Sequence, residues 1–181
     1  MSLRCILFFL LTGASCCLQA QVNGPIRISD NGRFFTHPDG TPFFWMADTA
    51  WELFHRTDIR EAEFYLEKRS RQGFNVIKAV ALAEIDGLRT PSTNGDLPFV
   101  SLESLEFNEP YWKYVDEVMD LAESFGLHIA LLPTWGDKLY KDSWGEGPEI
   151  FNKDSAFSFG EKLGKRYANR KKPGGLIQEL E

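Results

Sequence analysis

Three short stretches of this chain gather carboxylates, tryptophans and basic side chains. The first gives Asp48, Thr49, Trp51, Glu52 and His55. The second gives Glu84 and Asp86. The third gives Thr134, Trp135, Gly136, Asp137 and Lys138, with Trp144 a little later. Each holds a carboxylate and two hold a tryptophan. A carboxylate accepts paired hydrogen bonds from neighbouring hydroxyls, and an indole face packs on the C–H face of a sugar ring. The chemistry suggested is carbohydrate binding, with Asp48, Trp51, Glu52, His55, Glu84, Trp135, Asp137 and Lys138 as the candidate contacts.

Each of these residues also has a plainer reading. Asp48 serves equally as a cap for a helical turn over 49–54, and Trp51 fits a core at helical spacing from His55. His55 fits a satisfied core or surface histidine. Glu84 and Asp86 would solvate a long loop. Trp135 would pack under a rim, although its neighbours are polar. Lys78 interrupts an apolar run, and a buried lysine must pair with a carboxylate or reach solvent at a strand end. His37, His55 and His128 are isolated, with no metal-ligand spacing. No nucleophile elbow or phosphate-binding glycine loop occurs. No metal and no cofactor are expected.

The elements that would position these stretches are legible from punctuation and period. Residues 26–45 read as a small antiparallel element, with Asn31-Gly32 and Asp39-Gly40 as its turns. Trp45-Met46-Ala47 continues into a first core strand ending at Asp48. Asp58 and Glu61 have capping-box spacing ahead of a helix with Ile59, Ala62 and Leu66 on one face, closed by Gly73. Residues 75–82 form an apolar strand of the kind buried on both faces of a parallel sheet. Residues 84–106 then show no period, which is far longer than an ordinary connection of ~2–6 residues. That stretch is either a surface excursion or a substrate loop.

A second helix starts at Pro110 and carries Tyr111, Val115, Val118, Ala122 and Phe125 inward, with Gly126 closing it before a strand over 127–133. Gly73-Phe74-Asn75-Val76-Ile77 and Gly126-Leu127-His128-Ile129-Ala130 therefore repeat one helix–glycine–strand unit. A third helix spans about 154–170, with Ala156, Phe159, Leu163 and Tyr167 inward. Three βα units predict a parallel α/β fold, and a (β/α)8 TIM barrel in particular. The alternative, a doubly wound sheet, usually carries a glycine-rich loop after its first strand, where this chain has Asp48-Thr49-Ala50-Trp51.

Composition narrows the setting. Met1 to Arg4 gives a positive start, Cys5 to Leu11 an apolar run, and Leu18-Gln19-Ala20 a small-residue cleavage site. Residues 1–20 are therefore expected to be a signal peptide, too short in its apolar part to span a bilayer. The expected location is secreted or periplasmic. Lipidation at Cys16 or Cys17, giving an outer-membrane lipoprotein, is disfavoured by Gly13 and Ala14, which stand where a large aliphatic is usual. All three cysteines lie in this segment, so the mature chain must be held by packing. Removing Arg4 takes the net charge from −6 to −7. An acidic chain without basic runs argues against nucleic acid as a partner, and no membrane contact is expected once the signal is cleaved.

The ordered motifs resemble a known family. Phe34 to His55, Gln72 to Ile77, and Leu131 to Lys138 look like the opening and the next two strands of the endo-apiosidase-like glycoside hydrolases. The likeness runs over about 26–169. It implies a TIM-barrel hydrolase of pectic plant cell-wall polysaccharide, exported by bacteria of the Bacteroidetes kind, with a polysaccharide or oligosaccharide as partner. It implies cleavage by two carboxylic groups following strands four and seven, so no catalytic residue is assigned within this chain. By motif match it places Asp48, Trp51, Glu52, Trp135, Asp137 and Lys138 in the lining of the substrate pocket.

Such a barrel typically needs ~250 residues. The chain is thus expected to hold about three βα units behind an N-terminal β-hairpin, over 21–170. Where a fourth strand is due, Pro173 removes a ladder donor and Gly174-Gly175 weakens pairing, and Leu176-Ile177 is too short to replace it. Residues 171–181 read as an aberrant or truncated tail, such as a frameshift or an early stop would leave. The fragment is then expected to be inactive, or else to persist as a non-catalytic carbohydrate-binding remnant.

Overall fold

A computed structural model describes residues 25–142 and 144–168, with the backbone of Ile177 and Gln178. The expected signal peptide, and most of the expected tail, lie outside the described residues. A three-stranded antiparallel meander comes first: β1 (Arg27–Ile28), β2 (Phe35–Thr36) and β3 (Pro42–Phe43), in that order. It carries one strand more than a hairpin. Its turns use Gly32 and Gly40 at φ +69° and +85°, a region open to glycine at no steric cost.

The central sheet contains β4 (Ala47–Thr49), β5 (Val76–Val80), β8 (His128–Leu132) and β9 (Ile177–Gln178), all parallel and in sequential order. Each unit adds its strand on the same side of the previous one. The backbone of Ile177–Gln178 pairs with Ala130 and Leu131, so a short fourth strand does form where the sequence reading found none.

Between β4 and β5 run α1 (Leu53–Arg56) and α2 (Ile59–Arg71). The Asp58 side chain accepts from the N–H groups of Arg60 and Glu61, and Glu61 reaches back to the Asp58 N–H, completing the capping box. The end of α2 is a Schellman motif, with Phe74 N–H on the Arg69 carbonyl and Gly73 N–H on that of Ser70. The same closure recurs after α3 (Glu109–Ser124), through Leu127 to Ala122 and Gly126 to Glu123. The repeat seen in the sequence is thus a repeat of cap geometry.

The aperiodic stretch after β5 is not structureless. Its later part forms an antiparallel ribbon, β6 (Phe99–Ser101) with β7 (Glu106–Phe107). Polar groups at the start of α3 hold it down. The Trp112 indole donates to the Pro98 carbonyl at 2.8 Å, and the Asn108 amide donates to that of Leu97 at 2.8 Å. The last described helix, α4 (Lys153–Tyr167), starts at an Asn152 cap, slightly ahead of its expected start.

One apolar cluster joins Ala62 and Leu66 of α2, Val115, Val118 and Ala122 of α3, and Phe159 and Leu163 of α4 to Ile77, Ala79, Ile129 and Leu131 of the sheet. The helices therefore pack on one face. On the opposite face, at the amino ends of the strands, Phe43 of the meander packs on Val76 and Ala130, with Ile26 and Trp45 beside them.

Candidate functional site

Residues following β4, β5 and β8 meet at the carboxyl end of the sheet. The chain leaves β4 through a tight turn in which Ala50 N–H donates to the Lys78 carbonyl at 2.8 Å. That turn places Trp51 and Glu52 at the rim, with His55 one helical turn on. Leaving β5, Glu84 is 3% exposed. Leaving β8, Trp135 precedes a 3₁₀ turn, Gly136–Lys138, in which Asp137 is 3% exposed and Lys138 fully buried.

The carboxylates share a pattern. Oε2 of Glu52 lies 3.1 Å from Nδ1 of His55 and 3.4 Å from Nε of Arg56, while its Oε1 is buried without a hydrogen-bond partner among the described residues. Oδ2 of Asp137 accepts from the Lys138 ammonium at 2.6 Å and from Gly147 N–H at 2.8 Å, while its Oδ1 is likewise unpartnered. Oε2 of Glu84 is also buried and unpartnered. Buried polar atoms are ordinarily satisfied, so three such oxygens at neighbouring strand ends mark a place that lacks hydrogen-bond partners. Among the described residues, no group of three His, Cys, Asp or Glu side chains is placed to hold a metal ion.

Burial is the main cause that raises the Glu84 carboxyl above its ordinary range. The charges of Glu52 and Asp137 push the same way, against its own backbone N–H and Lys138. His55 is also raised, first by its hydrogen bond to Glu52, against burial, and with help from the Thr90 carbonyl 2.8 Å from Nε2. Both ring nitrogens face acceptors, an arrangement that suits the doubly protonated ring. Through Thr90, and through its own carbonyl, which accepts from Thr93 N–H at 2.9 Å, His55 straps the first part of the 84–106 stretch to α1.

Aromatic side chains line the same rim. The rings of Trp51 and Trp135 lie 4.7 Å apart, tilted by 49°, and Trp144 meets Trp135 edge-on at 6.3 Å. The Trp135 indole donates to the Trp144 carbonyl at 2.9 Å. Trp51 and Trp144 remain exposed, so the cluster offers indole faces beside the carboxylates. An open cleft of about 580 Å³ adjoins, lined by His55, Arg56, Asp86, Thr90, Thr93 and Glu146 among others.

Most of the sequence-derived candidates thus come together, and two take a different part. Asp48 points to the opposite face. In register it pairs with Ile77, whose side chain lies in the helix-side core. There it accepts from the Tyr65 hydroxyl at 2.8 Å and from Nε of Arg69. These bonds outweigh burial and hold its carboxyl below the ordinary range. It neither caps a helix nor reaches the rim. His55 belongs to the rim but is 5% exposed with both nitrogens engaged, so it positions Glu52 and the loop.

Sequence reasoning missed Gly145 and Gly147. A Cβ at Gly145 would overlap the Asp137 carboxylate, and Gly147 supplies a donor to it. The glycine doublet around Glu146 was the available signal.

Comparison with known proteins identifies the family and the fold. The family described as apiosidase-like, catalytic domain, matches residues 29–174. A solved glycoside hydrolase superposes with a TM-score of 0.71 at 28% identity, covering 86% of this chain and 33% of that one. A glycoside hydrolase family 5 protein from Bacteroides vulgatus gives a TM-score of 0.70 at 24% identity, covering 86% and 32%. An endo-1,4-beta-mannanase from Rhizomucor miehei, at 15% identity and a TM-score of 0.53, covers 86% and 47% and shares the fold. No curated protein matches. The chain spans about a third of the length of the first two of these structures.

Proposed function

The chain belongs to the apiosidase-like catalytic-domain family, and from that premise we propose that it forms the first part of an exported (β/α)8-barrel glycoside hydrolase acting on pectic polysaccharide. One observation carries the reading. Three successive strand ends bring together unpartnered carboxylate oxygens of Glu52, Glu84 and Asp137 beside a tryptophan cluster. In parallel barrels, the carboxyl ends of the strands are where sites form. Sequential strand order, with helices on one face, supports barrel closure over a doubly wound sheet. Export is supported by the apolar run and cleavage motif over 1–20. Among the described residues no helix is long and apolar enough to cross a membrane.

In this reading Trp51 and Trp135 carry the sugar face, and Glu52, Glu84 and Asp137 meet its hydroxyls. Lys138 and His55 hold two of those carboxylates in place. Hydrolysis falls to two carboxyl groups following strands four and seven of the complete barrel. The 181 residues alone are then expected to bind without turnover. Calorimetric titration of the chain with pectic oligosaccharides tests this. The expected result is measurable binding without release of reducing sugar, weakened about tenfold in Trp135→Ala, in keeping with the energy of an aromatic platform. No binding by the wild-type chain, or equal affinity in the variant, would overturn it.

A further inference from the structure

The three rim carboxyl groups are not equivalent. Glu52 has His55 and Arg56 on one oxygen, and its other oxygen is buried without a described partner. Asp137 has Lys138 and the Gly147 N–H on one oxygen, and its other oxygen is likewise buried without one. Glu84 is as deeply buried as Asp137, yet no described cation forms an ion pair with it. It stands between the two in the order of the sheet, since it follows β5 while they follow β4 and β8. A buried carboxyl flanked by two others already paired with cations ionises only at a cost. Retaining a proton removes that cost and turns its acceptor into a donor.

We infer that Glu84 is the hydrogen-bond donor of this site: in mildly acidic solution its carboxyl group keeps its proton and reads an acceptor oxygen of the sugar between two acceptors, Glu52 and Asp137. This rests on the carbohydrate reading of the site and adds its polarity. The ligand must offer donors at two positions and an acceptor at the middle one. A ring oxygen, a glycosidic oxygen or a hydroxyl with its lone pair turned inward satisfies the middle position.

The groups around Glu84 favour this state on balance. From the turn after β4 comes Glu52, with His55 and Arg56 behind it. From the turn after β8 come Asp137 and Lys138, the latter committed to Asp137 at 2.6 Å. From the loop beyond, Glu146 N–H donates to the Glu84 carbonyl at 3.1 Å. On its own loop Asp86 is bonded to the Thr90 hydroxyl. Earlier on the same strand end, the Ala81 carbonyl is taken by the hydroxyl of the buried Tyr111 at 2.7 Å. Burial, more than any single charge, raises the Glu84 carboxyl.

The test is a carbon-13 NMR titration of the side-chain carboxyl groups in the intact chain, with Glu84→Gln identifying the signal by its loss. The expected signal titrates above the ordinary glutamate range, and titration within or below that range would refute the inference. A calorimetric series with pectic oligosaccharides adds the functional side. Wild-type affinity should fall as pH rises through the Glu84 transition. Glu84→Gln, which keeps a donor of the same shape, should bind within about threefold of the low-pH wild type and lose that pH dependence. Glu84→Ala should weaken binding about tenfold or more, as expected when a buried hydrogen bond loses one partner. A Gln variant as weak as the Ala variant would mean the group acts as an acceptor. If no oligosaccharide binds at all, the carbohydrate reading fails, and the carboxyl titration still decides whether Glu84 holds its proton.

Discussion

The two ends of the parallel sheet are built from the same strands by opposite rules. At the amino end, β8 begins at His128, which packs edge-on against Phe43 at 5.3 Å in an apolar plug with Val76, Ala130 and Trp45 close by. Burial, with His37 adding to it, holds the His128 ring down to about 4. At the carboxyl end, His55 is buried where His128 is only partly so, yet its ring is raised, because Glu52 and the Thr90 carbonyl face its two nitrogens. One histidine is kept neutral by what surrounds it, and the other is biased toward its charged form. The plug closes the sheet; the rim collects charge, compensates half of each paired carboxylate, and leaves the other half uncompensated. Apolar contact is concentrated at one end and unpartnered carboxylate oxygen at the other.

The largest effect should come from breaking the compensation at the rim. Lys138→Ala leaves the Asp137 carboxylate buried with only the Gly147 N–H on Oδ2. Removing one member of a buried pair typically costs ~3–5 kcal/mol. Denaturant unfolding should show a loss of that order. A loss below about 1 kcal/mol would mean the pair is not holding the rim.

The two histidines sharpen the contrast, because their pH effects have opposite sign. The folded-state ring of His128 is lowered, so the stability it contributes is fully present above about 6.5 and is lost as pH falls toward about 4. That window corresponds to roughly 3 kcal/mol at most. His128→Leu should flatten the acid limb of the stability curve. The folded-state ring of His55 is raised, so its contribution is fully present below its unfolded value and is lost as pH rises through the higher folded one. His55→Gln should remove that alkaline dependence. It should also speed amide exchange over 90–93 by about 1 kcal/mol of local stability, the worth of a typical hydrogen bond. Matching pH profiles for the two variants would erase the distinction between the ends.

What the sequence disclosed, and what it hid, follows the range of the forces involved. The capping box at Asp58, the glycine closures at Gly73 and Gly126, and the inward faces of α2 and α3 are local, and all were legible. The fate of Asp48 depended on register. The first core strand runs through Asp48 to Thr49, so its side chain follows strand parity toward Tyr65 and Arg69. A one-residue shift in pairing register reverses the face, and the register is set by the neighbouring strand. The stretch after β5 looked structureless because β6 and β7 are too short to show alternation, and α3 anchors them from outside the segment. The rim residues themselves could be listed from composition. Which oxygen of each is held and which is left without a partner could not, because that depends on contacts between separate strand ends.

The most direct test uses the five tryptophans as reporters of the two regions. Trp51, Trp135 and Trp144 stand at the rim, while Trp45 lies against the plug and Trp112 is buried against α3's neighbours. Indole N–H signals followed by NMR during titration with pectic oligosaccharides should shift for the three rim residues and stay fixed for Trp45 and Trp112. Unmoved rim signals, or equal shifts at both ends, would contradict the assignment of the carboxyl-end rim as the carbohydrate site.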